Sequence, residues 1–380
     1  MLYLDNAATT KPNAAVLTSF VKVNESFYFN PNSPHDKGLE AQRLLTEART
    51  QIKQALNLDE QCVVFTSGAT ESNNMALKGA AYQKRSFGKT IITSRLEHPS
   101  VLEVMRELHE EGFHLKYVNI TASGQIDLEH LKTLLNQDVI LLTCMHVNNI
   151  MGQIQPIKKI IDILTDYPKV HFHVDAVQAI GKVPFISEGI DSLSLSGHKF
   201  NGLKGQGLLI LNNEHSIYPI IQGGGQEFGI RSGTVNLPNN VALAKAINIT
   251  IKQHNDRYNE LRTMNSALRQ FIRTYNGVYI NSPEDASAHI LNISFPGVRG
   301  EVLVNAFSKQ NVMVSTTSAC SSKHATLNEV LYEMGISKNR ILGSIRLSFD
   351  HALNDVEMTK FKNVFDDVYQ EVKELLINDL

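Results

Sequence analysis

The chain has no tryptophan, only three cysteines and a formal net charge of −2 across 380 residues. The missing charge bias removes the basic field that nucleic acid requires, and no acidic tail is present. No apolar run approaches the roughly 20 residues that a membrane-spanning helix needs. The first residues, Met1-Leu-Tyr-Leu-Asp-Asn6, hold no basic region followed by an apolar core, so no signal peptide is expected. The expectation is a cytoplasmic protein with neither a membrane nor a direct nucleic-acid partner. An odd, sparse cysteine count without a Cys-x-x-Cys pair excludes a disulfide framework and a zinc site. Cys62 and Cys144 sit in apolar runs and read as small buried hydrophobes. Cys320 differs, because its neighbours Ser315-Thr-Thr-Ser-Ala-Cys-Ser-Ser-Lys323 have loop chemistry.

What is present is an ordinary globular balance, 42% hydrophobic and 19% charged, in a chain long enough for two cores. Short apolar runs predict strands at 62–66, 90–94, 115–119, 139–145, 170–175, 192–196 and 207–211. Amphipathic stretches such as 99–111 and 156–166 lie between them. Apolar runs alternating with helices imply an α/β fold with a mostly parallel seven-stranded sheet between helices. From 238 to 274 the pattern predicts one long helix leaving this domain. A smaller α+β region follows, with strands near 277–280, 289–295 and 344–349 and helices near 300–309 and 325–334. A final helix carries Phe361, Val364, Val368, Val372 and Leu375 on one stripe. The expected domains are 14–250, and 1–13 together with 251–380.

Two residue types at strand ends suggest chemistry. Lys199 follows the run Ser194-Leu-Ser-Gly-His198, and Asp175 ends Lys169-Val-His-Phe-His-Val174. A lysine presented this way can condense with an aldehyde, and a carboxylate can hold a pyridine nitrogen protonated, the two protein groups that pyridoxal phosphate (PLP) most needs. Each also has a plain reading: a surface lysine and a solvated strand end. Ser67, Gly68 and Thr70 open a helix after a strand and suit an anion such as phosphate, or serve only as a cap. Ser196 and His198 offer further donors beside Lys199, and Gln178 can donate to a phenolate-type oxygen. His98 reads either as a neighbour of a helix cap or as a stacking ring and proton shuttle. The glycines of Gly223–Thr234 lack the Gly-x-Gly-x-x-Gly spacing and a preceding strand, which excludes a dinucleotide loop. His171 and His173 lack further ligands at metal spacing, so no metal is expected.

Read together, these segments resemble the cysteine desulfurases of the NifS/IscS type, in the class V aminotransferase branch of fold-type I PLP enzymes. The resemblance rests on ten motifs in the family's order. They are Tyr3–Thr10, Asn30–Ser33 with His35, Thr66–Ser72, Glu97-His98, His146–Asn149, His173–Gln178, Ser196–Lys199, Arg231–Thr234, Ser318–Cys320 and Ser344–Arg346. It implies that Lys199 holds PLP covalently, that Asp175 pairs with its ring nitrogen and that His98 stacks on the ring and moves protons. Gln178 and Asn149 would contact the ring oxygen and the substrate side. Ala69, Thr70, Ser196 and His198 would bind the phosphate, with Thr234 contributed across a homodimer. Arg346 would grip the substrate carboxylate with its planar fork. Cys320, as thiolate, would take sulfur from L-cysteine, leaving a persulfide and L-alanine, and pass it to an acceptor protein in tRNA thiolation or iron–sulfur assembly.

The chain departs from the family pattern at Ile150, where glutamate is usual, at Leu203, where proline is usual, at Val177 for threonine, and at Thr316-Thr317 before Ser318. The Thr-Thr-Ser-Ala-Cys-Ser-Ser version is similar to a Gram-positive NifZ-like subgroup. The β-branched Thr317 is expected to stiffen the loop. Alternatives on the same scaffold are an aminotransferase or a selenocysteine lyase, neither of which needs Cys320. A non-catalytic scaffold for sulfur-transfer partners is the alternative from another class.

Overall fold

Seven apolar runs, each four to seven residues long, pair side by side into the central sheet. The computed structural model describes residues 1–58, 60–316 and 327–379. In chain order the strands are β1 (Leu2–Tyr3), β2 (Cys62–Thr66), β3 (Thr90–Thr93), β4 (His114–Tyr117), β5 (Val139–Met145), β6 (His171–Asp175), β7 (Ser192–Ser196) and β8 (Gly207–Leu211). Then come β9 (Tyr279–Ile280), β10 (Ile290–Ser294), β11 (Val312–Met313), β12 (Ser315–Thr316) and β13 (Ser344–Ser348). The large sheet has the order β2-β8-β7-β6-β5-β3-β4, and only β8 runs antiparallel to its neighbours. This is the mostly parallel α/β sheet that the alternation of runs predicts, with strand limits within two residues.

The sheet is buried on both faces. One face packs Phe65, Leu142, Val174, Leu195 and Ile210 against helices that include Leu237–Lys252. The other packs Val64, Ile91, Leu141 and Leu209 against the helices Ala69–Lys84 and Pro99–Glu110. This second face corrects one expectation. The alternation of Val170, Phe172 and Val174 with His171, His173 and Asp175 looks half-solvated, yet all five residues of β6 are buried. The helix Ala69–Lys84 covers the polar side and supplies Asn73 as a hydrogen-bonding partner. A sheet covered twice leaves no wet face.

The smaller region has a four-stranded antiparallel sheet, β12-β13-β10-β9, and a two-stranded parallel pair, β1-β11. Its core gathers Leu2, Leu4, Leu268, Ile293, Phe307 and Leu347 around the last helix, Asp355–Val372. That helix opens with a capping box between Asn354 and Glu357, and Phe361, Val364, Val368 and Val372 are buried as the stripe predicts. Leu375 is not part of it. It lies on a short 3₁₀ turn and is exposed, because the α-helix ends at Val372. The single helix expected over 238–274 is two helices, Leu237–Lys252 and His254–Ile272, parted at Gln253. The polar stretch Lys252–Arg257 has no apolar face to carry through, so each helix keeps to its own core. No helix among the described residues is long and apolar enough to cross a membrane.

Phe365 sits at the hub of this second core, with ring contacts to Phe271, Tyr275, Phe295, Phe307 and Phe361. Phe365→Ala is expected to cost about 3–5 kcal/mol, since so many rings cannot collapse onto one void. Denaturant unfolding measures this, and a loss under about 1 kcal/mol would show that the cluster repacks.

Candidate active site

Strands β5, β6 and β7 are parallel and end at Met145, Asp175 and Ser196 along one edge of the sheet. Ligand sites of such sheets lie beyond these carboxyl ends. A cavity of about 690 Å³ opens there. It is lined by Ala69, Thr70, His98, Asn149, Asp175, Gln178, Ser196, His198, Lys199 and Arg346, residues drawn from both regions of the chain. Thr234 is not among them. Within one chain it lines a second cavity of about 230 Å³, which shares only Ser67 and Gly205 with the first. Cys320 lies outside the described residues.

One end of the cavity suits an anion. The helix Ala69–Lys84 begins there with Gly68 as its cap residue and no side chain closing its first turn. Its N–H groups and positive dipole end therefore remain for a ligand. A Cβ at Gly68 would lie 3.9 Å from Ser196 Oγ, which places that hydroxyl at the helix start. Gly207 of β8 lets the backbones meet, because a Cβ there would fall 2.5 Å from Gly68 Cα. Glu71 brings a negative charge to the same turn, but Arg231 Nε holds it at 2.6 Å and Ser67 N at 2.7 Å, which keeps its pKa low against burial. Lys204 also lines the wall. It went unnoticed in the sequence, although its Gly202-Leu-Lys-Gly205 context carries a family motif.

Lys199 closes a 3₁₀ turn, Gly197–Lys199, directly after β7. Its Nζ donates to the carbonyl oxygens of Ala7 at 2.7 Å and Ala8 at 2.9 Å. Among the described residues no carboxylate pairs with it. Burial first, then the Arg346 charge, lowers its pKa from 10.5 to about 8, against the opposing pull of Asp175 and Asp5. A lysine so placed is a partly neutral amine near pH 7, as a nucleophile or base must be.

Asp175 ends β6. Its Oδ1 accepts from Val177 N at 3.0 Å and its Oδ2 from Asn73 Nδ2 at 2.9 Å. His98 is placed both to cap a helix and to face the cavity. It is the cap residue of the helix Pro99–Glu110, with Nδ1 accepting from Ser100 N at 3.1 Å, and its ring also lines the cavity. The surrounding protein lowers its pKa by desolvation, with Asp175 opposing and Lys199 adding to the effect. Neither Asn73 nor Ser100 is legible as a site residue in the sequence, because their contacts depend on the helix packing.

Arg346, on β13, donates from Nη1 to Asn149 O at 2.8 Å and from Nη2 to Asp5 Oδ1 at 2.8 Å. Its Nε is buried without a partner among the described residues. The guanidinium therefore keeps donors for a carboxylate, and two bonds fix its plane. Gln178 Nε2 donates to Ala7 O at 2.9 Å, and Lys182 Nζ donates to Gln178 Oε1 at 2.7 Å. Lys182 is held near a pKa of about 7, by burial first and then by Lys199.

The departures have local explanations. Leu203 N donates to Gln206 Oε1 at 2.8 Å, a bond that proline could not make. Ile150 packs beside Leu96, Met151, Val330 and Met334, where a carboxylate would be stranded. Thr316 pairs with Ile345 in the small sheet. Val177 keeps the backbone donor to Asp175, which needs no hydroxyl.

The model of the family described as aminotransferase class-V matches residues 2–361. The chain belongs to the class-V aminotransferase family. A protein described as a NifS/IcsS protein homolog, from Lactobacillus delbrueckii subsp. bulgaricus, is 39% identical over 99% of each chain. The cysteine desulfurase IscS of Dictyoglomus turgidum is 38% identical over 91% of this chain and 89% of that one. A solved structure described as a NifS-like protein superposes with a TM-score of 0.91 at 34% identity, covering 97% of this chain and 99% of the other. In this member of the class-V aminotransferase family the α/β sheet, the helix N-terminus and Lys199 therefore occupy a fold shared with NifS-like proteins.

Proposed function

We propose that this chain is a PLP-dependent cysteine desulfurase. It converts L-cysteine to L-alanine and transfers the sulfur to Cys320 as a persulfide, for delivery to a protein of tRNA thiolation or iron–sulfur assembly. The observation that carries this reading is one cavity holding a carbonyl-held, partly neutral lysine, a fixed carboxylate, a histidine and an open helix N-terminus. Relatives in the same family bear the name cysteine desulfurase, and the solved structure of SspA in complex with cysteine has a TM-score of 0.81 at 31% identity, over 93% of this chain.

The residues present fit PLP. Ala69, Thr70, Ser196 and His198 would hold its phosphate, Asp175 its ring nitrogen, His98 its face, Gln178 and Asn149 its ring oxygen and substrate side, and Lys199 its aldehyde carbon. When bound, the cofactor supplies an electron sink that makes the α-hydrogen of an amino acid acidic. Arg346 binds and orients the substrate carboxylate through the donors it has left. Lys199 Nζ takes the α-proton. His98 is not the resting base, because its Nδ1 already accepts from Ser100 N and its Nε2 therefore bears the proton in the neutral ring. The Cys320 thiolate attacks the cysteine sulfur and the carbon–sulfur bond breaks with its electron pair left on Cβ; a proton to Cβ, the equivalent of the one the Cys320 thiol gave up, and the α-proton returned to Cα complete alanine. Ser315 of β12, five positions before Cys320 in the sequence, lies opposite Arg346 of β13. A homodimer in the cytoplasm, with Thr234 from the second copy completing the phosphate site, belongs to the same proposal.

The test is to supply purified protein with PLP and L-cysteine and to measure alanine and protein-bound sulfur together. Equal amounts in the first turnover are expected. No alanine, or alanine with no sulfur on the protein, overturns the reading.

A further inference from the structure

A buried run of polar side chains on the covered face of the sheet is not needed by any step above. His171 Nε2 lies 2.7 Å from Ser192 Oγ, and Ser192 Oγ lies 2.8 Å from His173 Nδ1. His173 Nε2 lies 3.0 Å from Asn73 Oδ1, and Asn73 Nδ2 reaches Asp175 Oδ2 at 2.9 Å. Asn73 Nδ2 also reaches Ser100 Oγ at 2.9 Å, which lies 2.8 Å from His98 Nδ1. Both strand histidines, Ser192 and Asn73 are almost completely buried.

Chemistry fixes the direction of every bond. A carboxylate only accepts, so Asn73 must present its amide nitrogen to Asp175 and its oxygen to His173. That oxygen only accepts, so His173 carries its proton on Nε2. Burial drives both histidine pKa values down to about 3, so each ring is neutral and Nδ1 of His173 is a lone pair. Ser192 must then donate to it, and His171 must donate from Nε2 to Ser192. Nδ1 of His171 is left as a buried lone pair without a partner, where such a chain would end. On the other branch Asn73 donates to Ser100 Oγ, and that hydroxyl is free to donate to His98 Nδ1, which Ser100 N already approaches as a donor.

We infer that Asn73 is a positioning residue that sets the orientation of Asp175, with its own amide locked by the chain His171–Ser192–His173. Every donor in this chain points towards Asp175, so its order is inherited from the far side of the sheet. Without His173 the oxygen of Asn73 loses its buried donor, and the amide is held only from its nitrogen side, by Asp175 and Ser100. The inference rests on the PLP reading only for its consequence in cofactor binding, since the bond directions belong to the cofactor-free protein.

Two measurements test it. Imidazole nitrogen NMR of the wild-type protein without cofactor, at neutral pH, should show His171, His173 and His98 as neutral rings protonated on Nε2. A protonated ring, or an Nδ1–H form at His173 or His98, overturns the chain whether or not PLP binds. Titration with PLP, read by its absorbance, should show Asn73→Asp binding about tenfold more weakly, because an acceptor then faces Asp175. Unchanged affinity in a folded Asn73→Asp variant would overturn the positioning role. Failure of the wild type to bind PLP would instead remove the proposed function and leave the NMR result to judge the chain.

Discussion

Lys199→Ala is expected to lose the visible band of lysine-bound cofactor and to cut alanine formation from L-cysteine by about 10³-fold or more, since a base and a covalent anchor vanish together. The fold should survive, because among the described residues Lys199 Nζ bonds only to the carbonyls of Ala7 and Ala8. Turnover within tenfold of wild type would sink the assignment. The pH profile adds a second check. The neutral amine is the reactive form, and a pKa lowered to about 8 leaves about one lysine in ten neutral at pH 7. An ordinary lysine would have about one in three thousand. Capture of PLP by the cofactor-free protein should thus rise about tenfold per pH unit below 8 and level off above it. A rise that continues towards pH 10.5 would show that burial and Arg346 do not depress this amine.

Cys320→Ser is expected to keep the cofactor band and to abolish protein-bound persulfide. Alanine formation should fall by about 10³-fold, the scale on which removing a nucleophile acts. A hydroxyl cannot replace the thiolate, because sulfur must be attacked by a soft, ionised nucleophile. Full activity on L-cysteine in this variant would favour the aminotransferase or selenocysteine-lyase alternatives. Absence of the cofactor band from the wild type would favour the non-catalytic scaffold instead.

Much of this architecture is legible in the residues themselves. Runs such as Val139–Met145 and Gly207–Leu211 are apolar at every position except Thr143 and Gly207 and are buried throughout, so periodicity and turn signals locate them. Lys199, Asp175 and His98 are readable as candidates because each follows or ends such a run. What escapes is whatever depends on a partner far along the chain. Asn73 meets Asp175 across 102 positions, and no local pattern announces it. His171 and His173 look like the wet side of a strand until the helix Ala69–Lys84 is laid over them. The break at Gln253 is hidden because helical periodicity continues on both sides of it. Leu375 is in phase with its stripe, yet the helix stops before it.

The short pairing of β1 with β11 has a consequence for how the molecule is made. Leu2 lies opposite Val312, which stands 310 positions later. At about 5–20 residues per second, the ribosome delivers that partner roughly 15–60 s after the first strand emerges. During that interval Leu2 and Leu4 have no core to enter, Asp5 has no Arg346, and Ala7 and Ala8 have only begun to wait for Lys199. Closing so long a loop is entropically costly and slow, so the catalytic pocket is completed late, after the large sheet already exists. Leu2 and Leu4 therefore stay unsheltered until the chain has reached Val312, and the pocket that Ala7 and Ala8 help to build waits with them.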